Sequence, residues 1–324
     1  MPHPRVSVVI PALNASAYIG ATLESVSRQT EQDYEVVVVD DGSTDDTKVV
    51  VADIARCDPR VRLIHLANNV GPGAARNVAI NAATGGWIAL LDADDAFHPR
   101  RLEHLLDIAA RTGADMVSDN IVLCPEDKAE RRHVMYSTER IPREMRLTAV
   151  EFVAQNTSKG DGERRSFGFM QPLICRHFLQ QHDIRYDVRT RFAEDFMFSI
   201  RCLLAGARWW ITPEAFYFYN LRQGSLTESV SLGDLRTISA MEQTLLEDAA
   251  ASRDMAFWHA VRRHKRTIDH WRYTTAFKAE FKRRDFGAAA RTFFENRASA
   301  QAVLRDVAAN TVLKPVIPWI KRRS

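Results

Sequence analysis

Cysteine is rare in this chain and forms no pattern: Cys57, Cys124, Cys175 and Cys202 are the only four, with no CxxC or other ligand spacing. That implies neither a zinc site nor a disulfide framework, and free thiols suit a reducing cytoplasm. No apolar run approaches the roughly 20 residues of a membrane span. The start, Met1-Pro2-His3-Pro4-Arg5, lacks the apolar core of a signal peptide, so a cytoplasmic protein is expected. The ten histidines are scattered, with no H-E-x-x-H pair, and are read as surface or partly buried residues rather than metal ligands. Internal repeats and low-complexity tracts are missing as well. Net charge is small, at +3 over 324 residues, and the balance of apolar and charged residues is ordinary for a soluble globular protein.

What is present is a run of buried-looking strands with polar ends. Val6-Ser7-Val8-Val9-Ile10 leads into Pro11-Ala12-Leu13-Asn14, and Tyr34 to Val39 leads into Asp40-Asp41-Gly42-Ser43-Thr44-Asp45. Near-continuous Val and Ile favour central parallel strands covered on both faces. Between them, Ala17 to Gln29 carries Ile19, Leu23 and Val26 at helical spacing. Val61 to Leu66 is a third strand, followed by a Gly/Pro turn from Asn68 that opens a helix through about Ala83. Strand alternating with helix predicts a doubly wound α/β unit, whose ligands bind beyond the carboxyl ends of the strands.

A fourth apolar run, Trp87 to Leu91, ends in Asp92-Ala93-Asp94-Asp95. Burying several like charges is costly, so these carboxylates belong at the strand's open end. Strand alternation turns Asp92 and Asp94 to one side, where they suit a divalent cation holding a diphosphate. A polar turn with a helix-capping Asp95 explains the same letters. Glu194-Asp195, among Phe192, Ala193, Phe196 and Phe198, is a second acidic pair beside an apolar segment that should raise a pKa. It suits a general base and equally an acidic helix N-terminus.

Taken in order, Ser7 to Pro11 with Asn14, Val39 to Asp45, Asn69-Val70-Gly71 with Ala75-Arg76-Asn77, Asp92 to Asp95, Phe192 to Phe198 and Tyr217 to Thr227 resemble the family 2 glycosyltransferases. The resemblance covers roughly residues 5 to 228 and implies inverting transfer from a nucleotide sugar. It implies an α/β fold of GT-A type: a Rossmann-like, mostly parallel central sheet with helices on both faces, here with a C-terminal helical extension. Asp41 then resembles the acceptor of the uracil imide N–H, with Pro11, Leu13 and Asn14 under the nucleoside, Leu13 departing from an aromatic residue that some members stack on the base. Arg76 resembles a donor-site arginine. Asp94 resembles the ligand of Mg²⁺ or Mn²⁺, and Asp92 its partner nearer the ribose or sugar. Asp195 matches the base, with Glu194 orienting it or binding the acceptor. Arg222 resembles a phosphate-neutralising residue of a closing loop, to which Ser225 or Thr227 could donate. UDP-glucose, then UDP-galactose, is the donor that resemblance to exopolysaccharide enzymes implies, with a saccharide acceptor that is perhaps lipid-linked.

Rival classes fit less well. A dinucleotide-binding dehydrogenase needs a glycine-rich first turn, where Pro11-Ala12-Leu13-Asn14 stands. A nucleotidyltransferase wants a Gly- and Lys/Arg-rich triphosphate loop there, also missing. A non-catalytic nucleotide-sugar-binding or scaffold protein has no need of Glu194-Asp195. Processive synthases carry Q-x-x-R-W, but Ala205 stands at the glutamine position before Arg208-Trp209.

Residues 1–230 are read as the catalytic domain and 231–324 as a basic, aromatic-containing helical extension. From 262 onward there are 16 Lys and Arg against 5 Asp and Glu. Trp319 and Ile320 before Lys321-Arg322-Arg323 suit an anionic membrane surface. Aromatics at helical spacing suit core packing equally well. No nucleic-acid motif accompanies the charge.

Overall fold

The computed structural model describes residues 3–125, 132–156, 166–189, 192–221, 230–295 and 297–313. The chain divides into two compact units, Met1–Glu228 and Ser229–Ser324. In the first, the Val-rich runs become parallel strands β1 (Val6–Ala12), β2 (Tyr34–Asp40) and β3 (Val61–His65), joined through α1 (Ile19–Ser27) and α2 (Thr47–Cys57). Helix α3 (Pro72–Ala82) then leads to β4 (Trp87–Leu90). Strand β1 pairs in parallel with both β2 and β4, matching Val8 with Val36 and Val9 with Leu90. Val6 to Ile10 are all fully buried, so both faces of the sheet are covered at its centre.

The chain continues through β5 (Ala96–Phe97), α4 (Arg101–Thr112), β6 (Met116–Pro125), β7 (His133–Val134), β8 (Met145–Leu147) and α5 (Ala149–Gln155). A single 3₁₀ turn at Phe167–Phe169 precedes β9 (Leu173–Cys175), α6 (Arg176–Gln181), α7 (Glu194–Leu204) and β10 (Trp209–Leu221). The sheet order is β3-β2-β1-β4-β9-β6-β10-β5, with β7 on β6 and β8 on β10. Strand β9 runs antiparallel between β4 and β6, and β6 and β10 are parallel. The strand ends that carry the acidic motifs therefore share one edge of a GT-A-like α/β sheet.

Helix α1 starts later than its periodicity suggests. The chain before it is pinned to the β2–α2 loop, Ala15 N donating to Thr47 Oγ1 at 2.8 Å and Ser16 N to Asp45 at 3.0 Å. The Arg208-Trp209 pair is structural: Trp209 Nε1 donates to Ser118 Oγ at 3.0 Å and Arg208 pairs with Asp115 at 2.9 Å.

The second unit is helical: α8 (Leu232–Ala251), α9 (Met255–Lys282), α10 (Phe286–Phe294) and α11 (Arg297–Leu313). Ser231 and Asp234 form a capping box that starts α8. Buried Glu242 and His264 pair between α8 and α9, and Lys265 and Ser239 both bond Asp269. No helix among the described residues is long and apolar enough to cross a membrane.

Candidate active site at the strand ends

The floor of the cleft is built where β1 and β2 stop. Asn14 takes a left-handed conformation (φ 49°), which asparagine tolerates better than most residues. Its backbone N–H donates to Ser43 Oγ at 2.9 Å, and its side-chain oxygen accepts from Thr44 N at 2.9 Å. Asp41, only 3% exposed, accepts from the backbone N–H groups of Val70 (2.8 Å) and Gly71 (2.9 Å). It thereby fastens the end of β2 to the turn opening α3. Each of its oxygens retains one lone pair for another donor. Gly71 sits at φ 93°, a conformation open to glycine, which is why the turn into Pro72 is possible. Pro11 lies in β1 beside Val39, and Leu13 stands partly exposed at the rim.

The strand-end aspartates are arranged differently from the alternation expected. Strand β4 ends at Leu90, and Asp92 to Asp95 form a turn in which Asp95 N donates to Asp92 O at 3.1 Å. Alternation therefore stops before the carboxylates, and the turn decides where they lie. Asp95 caps no helix: a two-residue strand follows it, and α4 begins only at Arg101. Instead it is buried and accepts from Tyr217 Oη (2.7 Å) and Asn220 N (2.8 Å). Burial first, then the Asp92 and Asp94 charges, push its pKa well above the usual carboxylate range. Asp94 O accepts from Asn220 Nδ2 at 2.6 Å, so Tyr217 and Asn220 of β10 both brace this turn.

Arg76, on α3, joins the two acidic motifs. Its guanidinium donates to Asp92 Oδ1 at 2.7 Å and Glu194 Oε1 at 2.9 Å, and lies 3.5 Å from Asp195 Oδ1. Burial works against this charge, but Asp195, Asp92 and Glu194 more than offset it and raise the Arg76 pKa further. Glu194 and Asp195 occupy the first turn of α7, preceded by Ala193 at φ 59°. An alanine held there costs about 1 kcal/mol or more, strain that the surrounding packing must sustain. Burial and the adjacent Asp195 raise Glu194 to about 7, against the lowering pull of Arg76. Burial likewise raises Asp195.

Several site residues escaped the sequence analysis. Gln171 Nε2 donates to Asp92 Oδ2 at 3.1 Å; a carboxylate only accepts, so the amide nitrogen must face it. Tyr186 lies flat on Phe198 at 4.1 Å, under the Arg76 guanidinium at 5.4 Å from its ring. Asn77 holds its backbone from both sides, at 2.8 and 2.9 Å. Beneath Gln171, Arg101 forms a fully buried pair with Asp119 at 2.8 Å and donates to Gln171 O at 2.5 Å. Gln171, Tyr186, Arg101 and Asp119 belong to no motif or periodic pattern of the sequence. Of the expected residues, Arg222, Ser225 and Thr227 lie outside the described residues, as does most of the polar segment 156–166.

The sequence model described as Glycosyl transferase family 2 matches residues 7–173. Succinoglycan biosynthesis protein ExoO of Rhizobium meliloti (strain 1021) is 37% identical over 243 residues, 75% of this chain and 68% of that protein. Among solved structures, S. aureus TarS 1-349 in complex with UDP-GlcNAc matches with a TM-score of 0.66 at 21% identity, over 92% of this chain and 81% of that one. Mannosyltransferase PcManGT from Pyrobaculum calidifontis, in complex with GDP-Man and Mn²⁺, gives 0.55 at 20% identity, over 98% and 84%. At such identities the two structures speak for the fold alone.

Proposed function

The chain belongs to glycosyl transferase family 2, and we propose that it moves one sugar from a UDP-sugar to a saccharide acceptor, with inversion and a divalent metal, in exopolysaccharide or cell-surface glycan synthesis. The observation that carries this is Arg76 bridging Asp92 on the donor side to Glu194 and Asp195 on the other. Support for the setting comes from ExoO, named for succinoglycan biosynthesis. UDP-glucose is the leading donor, UDP-galactose the next. The proposed acceptor is a growing, lipid-linked saccharide, and the proposed location is the cytoplasmic face of the cell membrane.

Inverting transfer needs one group to take the proton of the acceptor hydroxyl as it attacks the anomeric carbon. Asp195 suits this better than Glu194. Arg76 holds Glu194 at 2.9 Å and Asp195 only at 3.5 Å, and the Asp195 side chain is 25% exposed against 11%. Glu194 is then the orienting group, and Tyr186 and Phe198 form a wall behind the pair.

The donor set at the turn fits a hard cation. Asp94 and Asp92 offer oxygen, and Mg²⁺ or Mn²⁺ characteristically takes one or two carboxylates, leaving phosphate oxygens and water to complete its shell. Among the described residues no group of three His, Cys, Asp or Glu gathers for a metal. Asp92 already takes Arg76 and Gln171 on its two oxygens, so Asp94 is the proposed principal ligand and Asp92 the orienting one. When bound, the ion neutralises charge developing on the departing nucleoside diphosphate.

The test is UDP release from a panel of UDP-sugars with lipid extract as acceptor, in Mn²⁺ or EDTA. One donor should turn over with metal, and both EDTA and Asp94→Ala should reduce the rate by at least about a hundredfold. Tight UDP binding with no turnover for any donor would make this a binding-only protein. In the same assay Gln171→Leu removes a hydrogen bond to a charged group, and kcat/KM should fall roughly 10- to 100-fold. An unchanged value would detach Gln171 from Asp92.

A further inference from the structure

The aromatic residues of the second unit separate by burial. Phe257 and Tyr273 are buried within the unit's helical packing. Phe281, Phe286 and Phe294 are 56, 59 and 77% exposed. Phe281 and Phe286 meet at the corner where α9 turns into α10, and Phe294, at the far end of α10, joins them through Phe293 and Phe277. Phe281 meets Phe286 edge-on at 5.4 Å across the turn and stacks on Phe277 at 6.0 Å. Phe277 meets Phe293 at 6.5 Å, and Phe293 lies 4.9 Å from Phe294. Soluble surfaces carry single exposed apolar residues routinely, but a contiguous aromatic cluster marks contact with something apolar.

Charge at this corner is predominantly positive. Lys282, Arg283 and Arg284 are exposed in the turn itself, with Arg291 and Arg297 also exposed. Asp285 and Glu295 are exposed too, and Glu280 is half-buried. Asp285 accepts from Ala288 N at 2.9 Å to cap α10, Glu295 lies 3.6 Å from Arg272, and Glu280 carries a buried oxygen. The exposed surface of this stretch therefore combines phenylalanines, which have no hydrogen-bonding group, with five cations against two carboxylates that also bond within the unit. Protein interfaces deplete charge around their apolar centres, whereas a lipid interface accepts aromatic rings at headgroup depth beside cations facing phosphate.

We propose that the α9–α10 corner is a docking surface for an anionic phospholipid bilayer. Phe281, Phe286 and Phe294 enter the interface while Lys282, Arg283 and Arg284 face the headgroup phosphates. This deepens the membrane placement proposed above, and it assigns attachment to a folded corner rather than to the tail beyond residue 313. The readout needs no turnover, so it succeeds or fails apart from the donor and acceptor assignments.

The experiment is flotation of the full chain with vesicles of phosphatidylcholine, or of phosphatidylcholine with 30% phosphatidylglycerol, at about 50 and 300 mM salt. Binding should require the anionic lipid and weaken with salt. Lys282→Glu/Arg283→Glu/Arg284→Glu should lower partitioning about a hundredfold. Phe281→Ser/Phe286→Ser/Phe294→Ser should lower it at least tenfold, with far-ultraviolet circular dichroism unchanged. Lys321→Glu/Arg322→Glu/Arg323→Glu, in the tail, should leave most binding in place. Release by the tail variant alone, with the corner variants still bound, would overturn the proposal. So would indifference to lipid charge, or a dimer in sedimentation that the Phe→Ser variant converts to monomer.

Discussion

Asp195→Asn is expected to keep nucleotide affinity within a few-fold and to lose transfer by 10³-fold or more. The substitution preserves shape and leaves Arg76 its stronger partners, Asp92 at 2.7 Å and Glu194 at 2.9 Å. The donor side should therefore remain assembled. What disappears is the only group proposed to accept the hydroxyl proton, and general-base contributions of 10² to 10⁴ are ordinary. Binding is measured by calorimetry with UDP and metal, transfer by acceptor-dependent UDP release. Turnover within tenfold of the parent would remove Asp195 from the base role and pass it to Glu194. The pH profile gives a second check on the same pair. Burial raises Asp195 and holds Glu194 at about 7. A base works deprotonated and Asp195 is raised, so the acid limb of kcat/KM should lie above that of a free carboxylate. In Asp195→Asn the residual rate should lose this limb or shift it.

Arg101→Met is expected to cost 3–5 kcal/mol of stability and lower the melting temperature by about 10 °C. Arg101 opens α4 and Asp119 lies within β6, both essentially without solvent contact, and they meet through three contacts of 2.8 to 3.1 Å. Removing the cation leaves a buried carboxylate with only Phe216 N, at 3.1 Å, to hold it. The guanidinium also lies over Phe97 at 4.3 Å and Tyr217 at 5.0 Å. Tyr217 in turn supports Asp95, so the damage should reach the Asp92–Asp95 turn and lower activity in the protein that still folds. The double variant Arg101→Met/Asp119→Leu removes both charges, and most of the lost stability should return. Denaturant melts of the three proteins decide this; a double variant as unstable as the single one would mean that packing, not the stranded charge, sets the cost.

The parallel half of the sheet was legible because Val8, Val9 and Val36 to Val39 form unbroken apolar runs that only a strand buried on both faces tolerates. Asp92, Asp94, Glu194 and Asp195 were legible because carboxylates beside such runs have few places to go. Their mutual arrangement was not. Arg76 and Glu194 are 118 residues apart, and no local pattern records which carboxylate a buried cation will choose. Gln171, Tyr186 and Asp119 stayed hidden for a related reason: none falls in a motif or a period, and each meets a partner from another element. The turn at Asp92 was misread because alternation was extended two residues past Leu90, where the strand ends. In the C-terminal part both readings of the aromatics hold, for different residues. Phe257 and Tyr273 pack inward and Phe281, Phe286 and Phe294 do not, and helical spacing cannot separate the two sets.

The fastening of Asp41 to Val70 and Gly71, and of Asn14 to Ser43 and Thr44, has a thermodynamic consequence. These bonds join segments about 30 residues apart, and each is made between protein groups alone. An arriving donor would meet a pocket floor that needs no further ordering, so its association should carry little conformational entropy penalty. The loop amides of Val70 and Gly71 should also exchange with solvent deuterium as slowly as those of the strand beside them.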